Sequence, residues 1–211
     1  MTSSSPGPKR SHLRLVPQAP LSELPDEELM GLHREGRPGA FDVLVTRYRG
    51  PVFGYLRRMG LRPDRAEEIA ADVFLKIHKA APRYEPTAKF TTWLYTVTYR
   101  AGLNAQDRLS HRLEVAASGE PLLERSTLGD GPERTLAVKR SYEALQAELN
   151  ELPEGHRSAF VLYYGQGLSC AEVAETLDIT AAEAKGRLAY ARKLLRQRLA
   201  GRVPEASPER T

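Results

Sequence analysis

Ser169 and Thr180 are each followed three residues later by a glutamate, Glu172 and Glu183. A hydroxyl residue with a glutamate at that offset writes a helix start. The hydroxyl oxygen accepts an orphan backbone N–H and the carboxylate reaches back to the cap residue. Two such starts so close together leave room for one short helix, roughly Ser169 to Leu177, and a tight turn. Asp178 sits at that turn, where a short polar side chain tolerates a left-handed backbone. The second helix is longer, with Ala184, Leu188, Ala191, Leu195 and Leu199 on one face. Its other faces carry Lys185, Arg187, Arg192, Lys193, Arg196 and Arg198 against a single acid, Glu183. A short capped helix, a tight turn and a basic second helix predict a helix-turn-helix, whose second helix enters the DNA major groove. A helical hairpin with a solvated charged face is the alternative on these residues alone.

Charge is distributed unevenly. Residues 141–179 hold one base, Arg157, and seven acids, while residues 180–200 hold six bases and one acid. The net charge of +4 over 211 residues permits a polyanionic partner. A lone cysteine, Cys170, excludes an intramolecular disulfide and fits a reducing cytoplasm. No apolar run reaches the length of a membrane span, and the basic N-terminus lacks the apolar core of a signal peptide.

Along the chain, residues 1–20 are rich in Ser, Pro and bases and predict a disordered tail. A helical region spans 21–112. Asp26 reads as a helix cap, Gly36 to Gly39 as a break, and Gly50-Pro51 as an interruption between two helical stretches. Asp64 with Glu67 reads as a third capping box. Ile69, Val73, Phe74 and Ile77 predict the buried face of the helix that follows. A loop, Pro82 to Lys89, precedes a long helix opened by Phe90, with Phe90, Trp93, Leu94 and Val97 facing a core. Residues 113–132 lose periodicity and read as a flexible linker. Helix returns over 133–200, and 201–211 reads as a fraying tail. There is no strand pattern. The fold class is therefore all-α, with two helical domains joined by a linker, the second a helix-turn-helix.

Two stretches, Ala66 to Val97 and Leu152 to Leu195, together resemble the two domains of a bacterial RNA polymerase sigma factor of the small extracytoplasmic-function group. The resemblance implies a 21–112 domain that binds core polymerase and melts the promoter, and a 133–200 domain that reads the upstream element. Carried over by position, it implies that Glu67, Glu68, Asp72 and Phe74 meet the coiled coil of the largest polymerase subunit. It implies that Arg83, Tyr84, Lys89, Tyr95, Tyr99, Arg100 and Arg108 melt the promoter and hold its downstream element, with the Pro82–Lys89 loop capturing a flipped base. It implies that Thr180, Lys185, Gly186, Arg187, Tyr190 and Lys193 face the upstream element. The implied partners are core RNA polymerase through its coiled coil and its flap, promoter DNA, and an anti-sigma factor. The chain departs from the family pattern at Ala71, Arg100, Asn104, Gly186 and Tyr190, which bears on promoter sequence and melting.

Unstacking bases requires stacking faces and charge. Tyr84, in a loop, reads as the stacking candidate and Trp93 as core. On the last helix, positions pointing away from the apolar face are Ala182, Gly186, Ala189, Tyr190 and Lys193. Lacking Arg, Asn or Gln, they predict readout through phosphates and DNA shape. The histidines have no metal-ligand spacing. No phosphate loop or nucleophilic triad is present, so neither enzyme activity nor a cofactor is expected. Two other readings remain at this point, a plain helix-turn-helix regulator and a sigma-like decoy for an anti-sigma factor.

Overall fold

Apolar residues spaced three and four apart draw four helices of the first half together: α1 (Asp26–Arg34), α2 (Ala40–Arg58), α3 (Pro63–Ala80) and α4 (Phe90–Ala116). The computed structural model describes residues 20–116 and 136–200, with side chains described for 20–106 and 143–200. The second half holds α5 (Leu136–Asn150), α6 (Glu154–Phe160), a π-helical turn (Val161–Gly165), α7 (Cys170–Leu177) and α8 (Ala181–Leu199). No strand occurs among the described residues. The tails at 1–20 and 201–211 and the linker at 113–132 lie outside the described residues, apart from their edges. At one such edge α4 continues to Ala116, past the expected start of the linker.

The expected face of α3 is the observed one, with Ile69, Val73, Phe74 and Ile77 all buried. They meet Leu44, Tyr55 and Leu56 of α2 and Phe90 and Leu94 of α4 in one core. Each large side chain fully buried there contributes about 1.5–3 kcal/mol. Three local readings fail. Gly50-Pro51 does not interrupt α2, which runs unbroken through Pro51. Proline there forfeits one backbone bond, and buried residues on both sides, Leu44 before it and Val52, Tyr55 and Leu56 after it, hold the helix together. Asp26 is not a cap. Its carboxylate accepts from Arg47 Nη1 at 2.6 Å and from the Tyr48 hydroxyl, tying α1 to α2. Asp64 and Glu67 form no capping box, because α3 starts one residue earlier at Pro63, whose fixed φ suits a first helical position.

The C-terminal half follows its local signals. Ser169 accepts from Glu172 N at 3.3 Å while Glu172 Oε2 takes Ser169 N at 2.7 Å. Thr180 and Glu183 reciprocate in the same way at 3.2 and 2.8 Å. Asp178 takes the left-handed turn at φ 55°. On α8, Ala184, Ala191 and Leu195 are buried against α5, α6 and α7.

The halves abut. α7 lies along α4, and α2 touches α5 and the π-helical turn. The α2–α3 turn at Gly60 adopts φ 93°, open to glycine without strain, and brings the chain beside Arg157 and Asn150.

Candidate nucleic-acid interface

The loop after α3 and the first turns of α4 enclose a pocket of about 530 Å³. Its walls include Arg83, Tyr84, Trp93, Thr96 and Arg100, with Glu175 entering from α7. The local chain alone does not hold this shape. Glu27 of α1 accepts from Phe90 N at 2.7 Å, capping α4 from a distant helix. Arg34 of α1 donates to the Tyr84 carbonyl at 3.1 Å, pinning the loop. Neither Glu27 nor Arg34 carries a local signal, since their partners lie 63 and 50 residues away.

The burial of the two rings differs from expectation, although both line the pocket. Tyr84 is buried, its ring 5.1 Å from that of Trp93, and its hydroxyl has no hydrogen-bond partner. Burial first, then Glu27 and Asp26, push its phenol above the usual value. Trp93 is the half-buried ring facing the pocket. Tyr95 is core, and its hydroxyl donates to Gln166 Oε1 of the other half. Tyr99 is half-buried, and burial raises its phenol while Arg187 opposes the rise. Arg83, Lys89 and Arg100 are exposed cations, with Lys89 Nζ 2.9 Å from Glu172. The Arg108 side chain lies outside the described residues.

On α8, Lys185, Gly186, Tyr190 and Lys193 are exposed, as are Ala182 and Ala189. A side chain at Gly186 would meet open space. Glu183 is occupied by Thr180. Arg187 turns inward. Its guanidinium lies against Gly155, where a Cβ would come within 2.5 Å of Nη1. Tyr190 leans on His156, ring to ring at 4.7 Å. Burial, and then Arg187, hold His156 below its ordinary value.

A second surface lies on α3. Glu67, Glu68 and Asp72 are exposed along it, Glu68 paired with Arg65. Beside them an apolar groove of about 530 Å³ runs between α2 and α3, lined by Val45, Phe53, Glu67, Ala71 and Phe74. Phe74 is buried at the groove floor and Leu75 is 49% exposed beyond it. Among the described residues no group of three His, Cys, Asp or Glu is placed to hold a metal ion, and no helix is long and apolar enough to cross a membrane.

Comparison with known proteins follows the same division. Residues 44–111 match the family model for Sigma-70 region 2, and residues 142–195 match that for Sigma-70 region 4. An ECF RNA polymerase sigma factor of Mycobacterium tuberculosis, SigM, is 31% identical over 173 residues, covering 82% of this chain and 84% of that protein. The RNA polymerase sigma factor CarQ of Myxococcus xanthus is 30% identical, covering 79% of this chain and 92% of that protein. Among solved structures, the sigma factor RpoE of Bartonella quintana, in complex with the anti-sigma factor NepR, shares the fold with a TM-score of 0.67 at 17% identity over 76% of this chain and 97% of that one. CnrH, in complex with the cytosolic domain of CnrY, shares it with a TM-score of 0.62 at 22% identity over 83% of this chain and 97% of that one. The acidic α3 face, the loop pocket at the head of α4 and the doubly capped α7–α8 pair thus sit within matched regions 2 and 4, and the chain belongs to the extracytoplasmic-function group of sigma-70 family RNA polymerase sigma factors.

Proposed function

We propose that this sigma factor works in the cytoplasm and divides its labour among the three surfaces. The α3 face and its groove bind core polymerase. The pocket at Arg83, Trp93 and Arg100 receives a base from the melted downstream element. The outer face of α8 lies on the upstream element as duplex. The carrying observation is the pocket. A half-buried indole with two exposed guanidinium groups at its rim offers a base both stacking and charge. Trp93, rather than Tyr84, is its stacking wall.

On α8, the inward turn of Arg187 removes from the first half of the helix the arginine able to fork onto a guanine. Lys185 and Lys193 then contact phosphates, and discrimination comes through DNA shape. A plain regulator has no use for a region 2 bundle, so that alternative does not account for residues 44–111. An antagonist protein of the anti-sigma class is a further expected partner.

Reversing Glu68 and Asp72 together to lysine tests the polymerase surface. Like charges brought against a basic partner surface weaken binding by about 2 kcal/mol or more. Polymerase affinity unchanged in that double variant, with helix content intact by circular dichroism, would refute the assignment.

A further inference from the structure

The acidic stretch ahead of α8 is left unused by the functional reading, and the structure shows where it goes. Glu172 and Glu175 project from α7, which carries no base, towards α4. Glu172 Oε1 lies 2.9 Å from Lys89 Nζ, with the carboxylate side chain 15% exposed. Glu175 enters the pocket bounded by Arg83, Trp93 and Arg100. These are the cations and the ring that a melted strand would use. We propose that α7 is an internal stand-in for promoter DNA, its carboxylates holding the α4 surface until a nucleic acid displaces them. The proposal rests on the assignment of that pocket to the melted strand.

The rest of the junction is built to reopen. Tyr95 reaches Gln166, Gln146 Nε2 donates to the Arg58 carbonyl at 3.4 Å, and Ser158 Oγ touches Met59 Sδ at 3.5 Å. Against these, the fully buried Tyr55 hydroxyl and the Arg157 Nε lack partners. Ser158, which donates to Glu154 Oε1 at 2.6 Å, lies beside the Tyr55 hydroxyl without the geometry of a hydrogen bond to it. Opening would let water satisfy both orphaned atoms. Lys89 is 71% exposed, so its ion pair is weak and open to competition by phosphate and salt.

The test uses the full chain. Glu172→Gln keeps the capping box, since glutamine makes the same reciprocal bond. Glu175→Gln alters an exposed side chain that makes no cap bond. The double variant should bind a fluorescein-labelled single-stranded 12-mer of mixed sequence about fivefold more tightly than the unaltered chain, as the binding-competent fraction rises. Adding Gln166→Ala should enlarge the radius of gyration measured by X-ray scattering. A control, Glu143→Gln with Glu151→Gln, removes the same charge from exposed positions outside the pocket and should leave the affinity nearly unchanged. Equal gains in variant and control, or an opened triple variant with unimproved strand binding, would overturn the proposal. Glu175→Gln alone, safe for folding, must show part of the gain. Core polymerase binding by the same proteins is scored separately. Its failure in every form would sink the polymerase assignment and leave the strand comparison to decide this one.

Discussion

Ten of the twelve largest fully buried side chains among the described residues lie between Leu29 and Tyr95; only Leu149 and Leu162 lie in the C-terminal half. The helix ends show the opposite bias. α1, α2 and α3 start without a side-chain cap, α4 takes one from distant Glu27, and α6 has none, whereas α7 and α8 each start with a complete local capping box. The N-terminal half is thus held by bulky contacts between residues distant in sequence. The C-terminal helix-turn-helix is held by bonds that span three residues and by a seam of mostly small residues, Val173, Ala174 and Leu177 of α7 with Ala184, Ala191 and Leu195 of α8. The difference suits the two tasks. A pocket proposed to receive a melted base needs a rigid floor, which a deep core supplies. A helix that lies in a groove needs most of its circumference free, which local capping allows.

The comparison breaks most readily at the core. Phe90→Ala, at a fully buried ring, should cost about 3–5 kcal/mol in urea unfolding. A loss no greater than that from deleting a cap would erase the distinction between the halves. Next in size, Ser169→Ala and Thr180→Ala should each cost about 1 kcal/mol. Amide exchange should report that loss in α7 and α8 and leave α1 to α4 protected; loss of protection spread evenly through the chain would contradict it.

Acid should produce the smallest effect and sort the halves. Burial first, then His78, hold His33 below its ordinary 6.5, with Asp42 opposing. The folded state therefore prefers neutral imidazole, and stability erodes as the pH falls through 6.5 towards the lowered value. Lys89 first, and then Ser169, hold the Glu172 carboxyl at about 2. Its contribution is full above 4.5 and is lost only as the pH falls through about 2. As the pH falls below 6.5 the α1–α2–α3 junction should loosen, while α7 stays seated down to 4.5. The loss, for a half-exposed imidazole, should be well under about 1 kcal/mol. His33→Phe should abolish it. Exchange protection lost first in α7 would reverse the ordering.

Legibility in the sequence divided along the same line. The α7–α8 pair was readable because each capping box and the αL turn at Asp178 are complete within a few residues. The buried face of α3 was readable because its periodicity is regular. What failed depended on partners far away. Asp26 resembles a cap until Arg47 and Tyr48 arrive from α2. Gly50-Pro51 resembles a break until its flanking residues are packed. Tyr84, a loop aromatic, is drawn under Trp93 by an arginine of α1, and Tyr95 is claimed by Gln166. Arg187 turns inward because residue 155 is glycine, which no periodicity of α8 announces. The exposed acids of α3 were readable from its periodicity, and the polymerase role proposed for them came from the family resemblance; the groove beside them depends on Val45 and Phe53 of another helix.

The bond from Glu27 to the Phe90 amide also sets an order in time. Synthesis proceeds from the N-terminus, and domains fold largely as units as they emerge. Glu27 leaves the ribosome 63 residues before the amide it caps. Once the first turns of α4 are out, α1 already offers both Glu27 and Arg34, and the pocket loop has everything that pins it. On the proposed assignment, the nascent chain presents the strand-binding pocket before α7 exists. For the interval in which residues 136–200 are still being made, the surface that the finished protein covers is bare, and any polymerase or nucleic acid met then finds it open.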